Sequence, residues 1–297
     1  MKIELISQRS GIYGGLKRLY RLAAYFIEAG HEAVINIDDG STCDWFEHSV
    51  TENVDIDPDV RIMPETWQKP HPTAKNILYV QAQFDPPEDR FDGIVTTTDF
   101  LAETISEEGF APDWVIPYGF DSNKFKESGR DRSKNWPWNR TAYMPRKNKQ
   151  EADLVEMLYP ADPTYGAIFD PIEGCNEQEV IEKLQKADIF LALSRVEGFG
   201  MPPFEASLCG CLVIGYHGKG GREWLNSNTS VMCGNPQEIV AAIADAAQGK
   251  HEPERLALQE LIKTDLTLEK EAAAWLNIIN DVNDGANQIT DIEGELA

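Results

Sequence analysis

Ser194–Gly215, SRVEGFGMPPFEASLCGCLVIG, is the stretch that decides the fold. The apolar run DIFLAL at 188–193 leads into it and has the length of a buried strand. Glu197 then opens a glycine turn, Gly198-Phe199-Gly200. Pro202 and Pro203 suit the start of a helix, where a missing N–H costs nothing. The helix predicted over 203–209, with Glu205 in its first turn, gives way at Gly210 to a second apolar run at 211–215. Strand, glycine turn, helix, strand is a βαβ unit, which requires a parallel sheet. Two carboxylates, Glu197 and Glu205, thus bracket a loop whose backbone can approach a ligand closely. The helix N-terminus behind it offers free N–H groups to an anion.

The same logic runs outward in both directions. At the start of the chain, KIEL and Ile6 predict a strand over 2–6, and Gly11, Gly14 and Gly15 mark a turn. Leu16, Leu19, Tyr20, Ala23, Phe26 and Ile27 follow at helical spacing, Gly30 ends the helix, and 33–37 is a second strand. Further strands are predicted at 76–81, 92–97 and 114–117, with Asp99 capping a helix over 100–109. Beyond a polar connection at 121–140, strands are predicted at 141–144, 166–169, 188–193, 211–215 and 229–233. Helices are predicted near 151–158, 177–186, 203–209, 236–248, 254–262 and 267–280. The fold class is therefore α/β, with two Rossmann-like α/β/α units at 1–135 and 136–280. Residues 281–297 hold five acids and no base and are predicted to be flexible. Ligands of open α/β sheets bind beyond the carboxyl ends of the strands, so two such units place the site in the cleft between them.

A length of 297 residues suits two units. The formal charge is −23, divided as −10 over 1–135 and −13 over 136–297. Both halves repel phosphate backbones, which argues against duplex nucleic acid as the main partner. No apolar run approaches the ~18 residues of a membrane span, and the N-terminal stretch is too short for a signal peptide. The five cysteines form no C-x-x-C pair and an odd number suits no disulfide framework, which predicts a reduced, cytoplasmic protein. Cys209 and Cys211 read as small core residues. His31, His48, His71, His217 and His251 show no metal-ligand spacing, and no Asp-x-Asp ends a strand, so no metal ligands are assigned.

The Ser194–Gly215 segment resembles the signature of the family-4 retaining glycosyltransferases of the GT-B fold. Glu197, Gly198, Phe199, Gly200, Pro202, Glu205, Ala206, Gly210 and Val213 all fall on that pattern. VIPYGFDSNKF at Val115–Phe125 is similar to the segment that closes the family's first domain, and the opening glycine turn is similar to its N-terminal loop. The resemblance implies a nucleotide-diphosphate-sugar donor held mainly by the second unit and an acceptor held mainly by the first. It implies no further cofactor and no essential metal. Carried over to this chain, Glu205 holds the ribose hydroxyls and Glu197 lies near the transferred sugar. Gly198 and the backbone N–H groups of Phe199, Gly200 and Met201 face sugar and phosphate. Arg146 and Lys147 take the diphosphate charge, with Lys149 as the alternative lysine, while Gly14 and Gly15 approach the phosphates from the first unit. Glu223 is a further donor contact.

The family's acceptor-side His has no counterpart in YVQAQFDP, where Gln83 and Asp85 are the nearest substitutes. Lys17, Arg18 and Arg21 read as the solvated face of the first helix, with a contact to an anionic acceptor or a membrane surface as the alternative. The reaction expected is retaining, metal-independent glycosyl transfer, with saccharide, lipid, protein and modified-base acceptors all open. Two other classes stand beside it: a GT-B module that binds a nucleotide sugar without turnover, and a Rossmann oxidoreductase or epimerase. The second is disfavoured because G-I-Y-G-G lacks the G-x-G-x-x-G pattern.

Overall fold

The computed structural model describes residues 1–83, 91–129, 140–159 and 167–284. The first unit begins with β1 (Lys2–Ser7), α1 (Gly14–Glu28) and β2 (Glu32–Ile37). β1 and β2 are parallel, in register from Lys2↔Glu32 to Ser7↔Ile37. β3 (Thr51–Glu52), β4 (Val60–Pro64), β5 (Lys75–Val80), β6 (Gly93–Thr96), α2 (Asp99–Glu107) and β7 (Trp114–Val115) complete it. The strand order is β3-β2-β1-β4-β5-β6-β7, parallel throughout. Helices cover a parallel sheet on both faces, so its strands are apolar in near-continuous runs; Ile3, Leu5, Ile62, Ile77 and Leu78 are fully buried.

Local readings change here, β3 being one strand that was not predicted. β4 was not expected: Arg61 breaks its apolar run and Pro64 ends it, so VRIMP reads as loop. The cap of α2 is Thr98, whose side chain accepts the Leu101 N–H at 3.2 Å; Asp99 is instead the first helical residue.

The second unit contains β8 (Arg140–Tyr143), α3 (Pro145–Leu158), β9 (Ile168–Pro171), α4 (Glu177–Lys186), β10 (Ile189–Ala192), α5 (Met201–Leu208), β11 (Leu212–Gly215) and β12 (Val231–Met232). α6 (Pro236–Ala246), α7 (Glu252–Asp265) and α8 (Leu268–Asn283) follow. The order is β12-β11-β10-β8-β9, again parallel. α3 starts six residues before the predicted position because Pro145 suits a helix start, and Asn148 breaks the helix with φ −175° and ψ 80°.

Both sheets reverse direction at one place. The first crosses from one side to the other between β1 and β4, the second between β8 and β10. Such switch points open a crevice at the carboxyl ends of the strands, where α/β proteins bind ligands.

The chain ends by returning to the first unit. α8 lays Trp275 edge-to-face on Tyr79, with ring centroids 4.8 Å apart. Glu271 of α8 meets Arg18 of α1 at 2.5 Å, and Arg18 also donates to the Gly119 carbonyl from both terminal nitrogens at 3.0 Å. Arg18 is thus a buried tie, not the solvated residue its spacing suggested. The unit predicted as 136–280 keeps its sheet, but its last helix belongs spatially to the first unit. The predicted tail overlaps this helix through Asn283, and residues 285–297 lie outside the described residues, as does half of the predicted connection, 130–139.

Aromatic rings join the two units. Phe199 packs on Tyr118 and on Trp224, each with centroids 4.7 Å apart, and Phe120 stacks on Phe204 at 5.2 Å. None of the five cysteines is in a disulfide, and Cys209 and Cys211 are buried. Among the described residues no helix is long and apolar enough to cross a membrane.

Candidate active site

A cavity of about 570 Å³ opens between the two switch points. β10 delivers Glu197 and the glycine turn into it. The Glu197 N–H donates to the Gly218 carbonyl at 2.7 Å, and Gly220 packs so closely on the Gly198 carbonyl that a Cβ would collide with it. The 217–221 loop therefore braces the turn from behind. His217 belongs to that brace: its Nδ1 accepts the Lys219 N–H at 3.0 Å.

Gly200 sits at φ 86°, the left-handed region that glycine enters cheaply, and directly caps α5. The helix starts at Met201, two residues before the predicted position, so Glu205 falls in its second turn. No side chain caps this helix, and since Pro202 and Pro203 have no N–H, the Met201 N–H is the donor that its first turn leaves without a side-chain acceptor.

Arg146 and Lys147 follow β8 and line the same cavity. Lys147 Nζ lies 2.5 Å from Glu197 Oε1, so the pair spans the second switch point. Among the described residues the Arg146 guanidinium has no carboxylate partner; its one polar contact is the Met144 sulfur at 3.9 Å. In a chain of charge −23, a guanidinium left without a carboxylate at a cavity wall is chemically able to seat an anion. Lys149 is not brought to the cavity. It lies on the exposed face of α3 and pairs with Asp153 at 2.7 Å, because the break at Asn148 turns the following residues away.

Glu205 also lines the cavity, and its Oε1 is 3.1 Å from Lys17 Nζ. Lys17 reaches Glu177 at 2.6 Å as well, and Lys124 bonds the other Glu177 oxygen. Burial alone would pull the Lys17 ammonium down, but the Glu205 and Glu177 carboxylates hold it above its usual value. Burial would likewise push Glu177 up, yet Lys17 and Lys124 keep its carboxyl below the usual range. Lys17 is therefore a cleft residue. Its helical spacing suggested a solvated face because spacing cannot show a second unit packed there.

Gly14 and Gly15 line the cavity from the first unit. A Cβ on Gly14 would strike the Met201 side chain, and one on Gly15 the Gln81 side-chain oxygen. A Cβ on Gly198 would overlap the Gln81 carbonyl, so Gly198 is where the two units touch. The Phe199 side chain is in the aromatic seam and leaves only its backbone for a ligand.

Three expected positions fall elsewhere. Glu223 does not line the cavity; it accepts the Asp99 N–H at 2.9 Å and caps α2 across the interface. Gln83 is exposed away from the cavity lining, and Asp85 lies outside the described residues. Glu65 was missed. It follows Pro64 at the carboxyl end of β4, is 7% exposed, lines the cavity, and accepts the Gln81 N–H at 3.0 Å. Burial pushes its carboxyl up to about 7. Among the described residues no cluster of three or more His, Cys, Asp or Glu is placed to hold a metal.

Residues 171–260 match the family model described as "Glycosyl transferases group 1". Comparison with curated proteins gives no match. Among solved structures, sucrose-phosphate synthase (tll1590) from Thermosynechococcus elongatus superposes with a TM-score of 0.71 at 13% identity, over 95% of this chain and 98% of its own. Anabaena Alr3699/HepE, solved with UDP and glucose, gives 0.70 at 14% identity over 95% and 100%. A glycosyltransferase from Rickettsia africae ESF-5 gives 0.68 at 15% identity over 95% and 98%. The chain thus has the fold of the GT-B glycosyltransferases, and its segment 171–260, which carries Glu197 and Glu205, matches the group 1 glycosyl transferases.

Proposed function

We propose that the chain moves a glycosyl group from a nucleoside-diphosphate sugar to an acceptor hydroxyl, with retention at the anomeric carbon and without an essential metal. One observation carries this reading: Arg146, which has no carboxylate partner among the described residues, the Lys147–Glu197 pair and Glu205 converge on a single cavity at the uncapped start of α5. The group 1 match over 171–260 supports it, as does a neighbour of the same fold solved with UDP and glucose.

Each residue then has a task. Glu205 accepts the two ribose hydroxyls, a charge-assisted contact that a carboxylate makes well. Arg146, Lys147 and the α5 N-terminus take the negative charge of the diphosphate, which grows as the sugar leaves. Glu197 lies beside the sugar, where a carboxylate steadies oxocarbenium character. Gly198, Gly200 and Met201 offer backbone to sugar and phosphate, as does the backbone of Phe199. Gly14 and Gly15 close on the phosphates from the opposite wall.

In the transfer, the bond from the anomeric carbon to the phosphate oxygen breaks and its electron pair stays on the diphosphate. The acceptor oxygen bonds the same carbon from the same face, and its proton passes to the leaving oxygen. This route needs no protein nucleophile. Thiols outside any disulfide suit a reducing compartment, so the cytoplasm is the proposed place of work.

The test is acceptor-free hydrolysis of UDP-α-glucose in EDTA, followed by proton NMR. Release of α-glucose first supports retention without a metal. Release of β-glucose first, or turnover that stops with EDTA and returns with one divalent cation, overturns that part of the reading.

A further inference from the structure

The glycine turn that carries Glu197 is held from two sides, and one of them belongs to the first unit. Within the second unit, the 217–221 loop takes both backbone groups of Glu197. The Glu197 N–H donates to the Gly218 carbonyl at 2.7 Å, and its carbonyl accepts the Gly220 N–H at 3.3 Å. Between these two partners, Lys219 stands at φ 62°, in the left-handed region that non-glycine residues rarely adopt. Such a conformation persists where the surroundings fix it.

The first unit reaches the same turn through the start of α2. Thr98 is fully buried, and its hydroxyl donates to the Gly198 carbonyl at 3.0 Å while accepting the Leu101 N–H at 3.2 Å. The Asp99 N–H goes to Glu223, at the far end of the loop that braces Glu197. The same loop lays the Lys219 ammonium 5.5 Å from the centre of the Phe100 ring and pairs Arg222 with Glu103. One helix start therefore touches the turn directly through Thr98 and the brace behind it through Glu223.

Neither Thr98 nor Glu223 lines the cavity, so both act on Glu197 through its neighbours. Capping α2 asks only for an acceptor oxygen at position 98. The hydrogen given to Gly198 is a second task for the same hydroxyl. Glu223 takes an N–H from a helix of the other unit, so the brace cannot shift without releasing α2. Because the brace holds both backbone groups of Glu197, a shift of α2 becomes a shift of the Glu197 side chain. Misplacing a reacting group by an ångström costs about 100-fold in rate, so even a fraction of that displacement is measurable.

We propose that Thr98 and Glu223 are positioning residues for the transfer. The first turn of α2 fixes the Gly198 carbonyl through Thr98 and the 217–223 loop through Glu223, and together these contacts set where the Glu197 carboxylate stands against the donor sugar. The effect on transfer rests on the donor reading above; the coupling of α2 to the turn does not.

Three measurements on the full chain test it: hydrolysis of UDP-α-glucose, calorimetry with UDP, and amide hydrogen exchange at Glu197. The variants are Thr98→Val, Thr98→Ser, Glu223→Ala and Glu223→Gln. Thr98→Val and Glu223→Ala are expected to lower kcat about tenfold, to leave the Kd for UDP within about twofold, and to speed exchange at the Glu197 N–H about tenfold. Thr98→Ser keeps the hydroxyl and Glu223→Gln keeps an acceptor oxygen, so both should stay near the wild type. Glu223 is half-buried, so Glu223→Ala decides the matter if Thr98→Val does not fold. A loss of UDP affinity as large as the loss of kcat overturns the proposal, as do unchanged exchange at Glu197 and a Thr98→Ser variant as impaired as Thr98→Val. A wild type that neither binds UDP nor hydrolyses UDP-α-glucose, with exchange still responding to the variants, would defeat the donor reading and leave α2 coupled to the turn. Normal binding and hydrolysis in every variant would do the reverse.

Discussion

Lys17 Nζ on α1 lies 3.1 Å from Glu205 Oε1 on α5, so a cation of the first unit sits on the carboxylate assigned to the donor's ribose in the second. The same ammonium reaches Glu177 at 2.6 Å. Replacing Lys17 with Met removes the charge but keeps the length and leaves two poorly hydrated carboxylates side by side. Removing one partner of a buried pair costs about 3 kcal/mol or more, because the other charge stays buried. Glu177 is held below its ordinary range, so its stabilisation is present above the unfolded value and lost as pH falls. Lys17→Met should therefore lower the thermal midpoint more at about pH 8 than at about pH 4, where the carboxylates take up protons. An equal loss at both ends would contradict the shared-cation account.

Arg146 and Lys149 are three residues apart and should behave oppositely. Arg146→Ala removes an unpaired guanidinium from the cavity and should weaken nucleoside-diphosphate binding about tenfold while slowing transfer. Lys149→Ala removes an exposed partner of Asp153 and should change neither. Calorimetry with each variant checks the contrast.

Gly198 is the narrowest contact between the units. A Cβ there would run into the Gln81 carbonyl, which is backbone and cannot swing aside. Gly198→Ala should hold the walls apart and cut transfer by about 100-fold, the usual effect of an ångström of misplacement. The first sheet has its own core and should still fold, so circular dichroism should be near normal. Wild-type activity in this variant would mean the walls need not close.

Glu65 supplies a pH signature. Burial raises its carboxyl to about 7, above the unfolded value, so its contribution is full at low pH and is lost as pH rises through the folded value. Glu65→Gln stays uncharged throughout. Relative to that variant, the wild type should lose thermal stability between about pH 5 and about pH 8. A difference that does not change across this range would contradict burial of an ionisable carboxyl there.

The donor half was legible because its chemistry is local. The turn from Glu197 to Gly200, the prolines of α5, and Glu205 lie within nine residues, and the strand before them is unbroken by charge. Arg146 and Lys147 stood out as a cation cluster in an acidic chain. The first unit's wall of the cavity was not legible, for two reasons. Arg61 and Pro64 disguise β4, so Glu65 was not seen to end a strand. The partners of Lys17, Arg18 and Glu223 come from elements more than 100 residues away in sequence; helical spacing shows only that Lys17 and Arg18 leave the apolar stripe, and Glu223 stands in a loop. Lys149 failed in the opposite way: proximity in sequence suggested a shared site, and the break at Asn148 turned it outward.

The central claim is that the cleft holds a nucleoside diphosphate on Glu205 and Arg146. Calorimetric titration of UDP, GDP and ADP into the wild type, Glu205→Ala, Arg146→Ala and Lys149→Ala tests it directly. The account predicts one preferred nucleotide at a single site, bound about tenfold more weakly by Glu205→Ala and by Arg146→Ala and equally well by Lys149→Ala. No binding by any of the three nucleotides, or binding indifferent to Glu205 and Arg146, would contradict it.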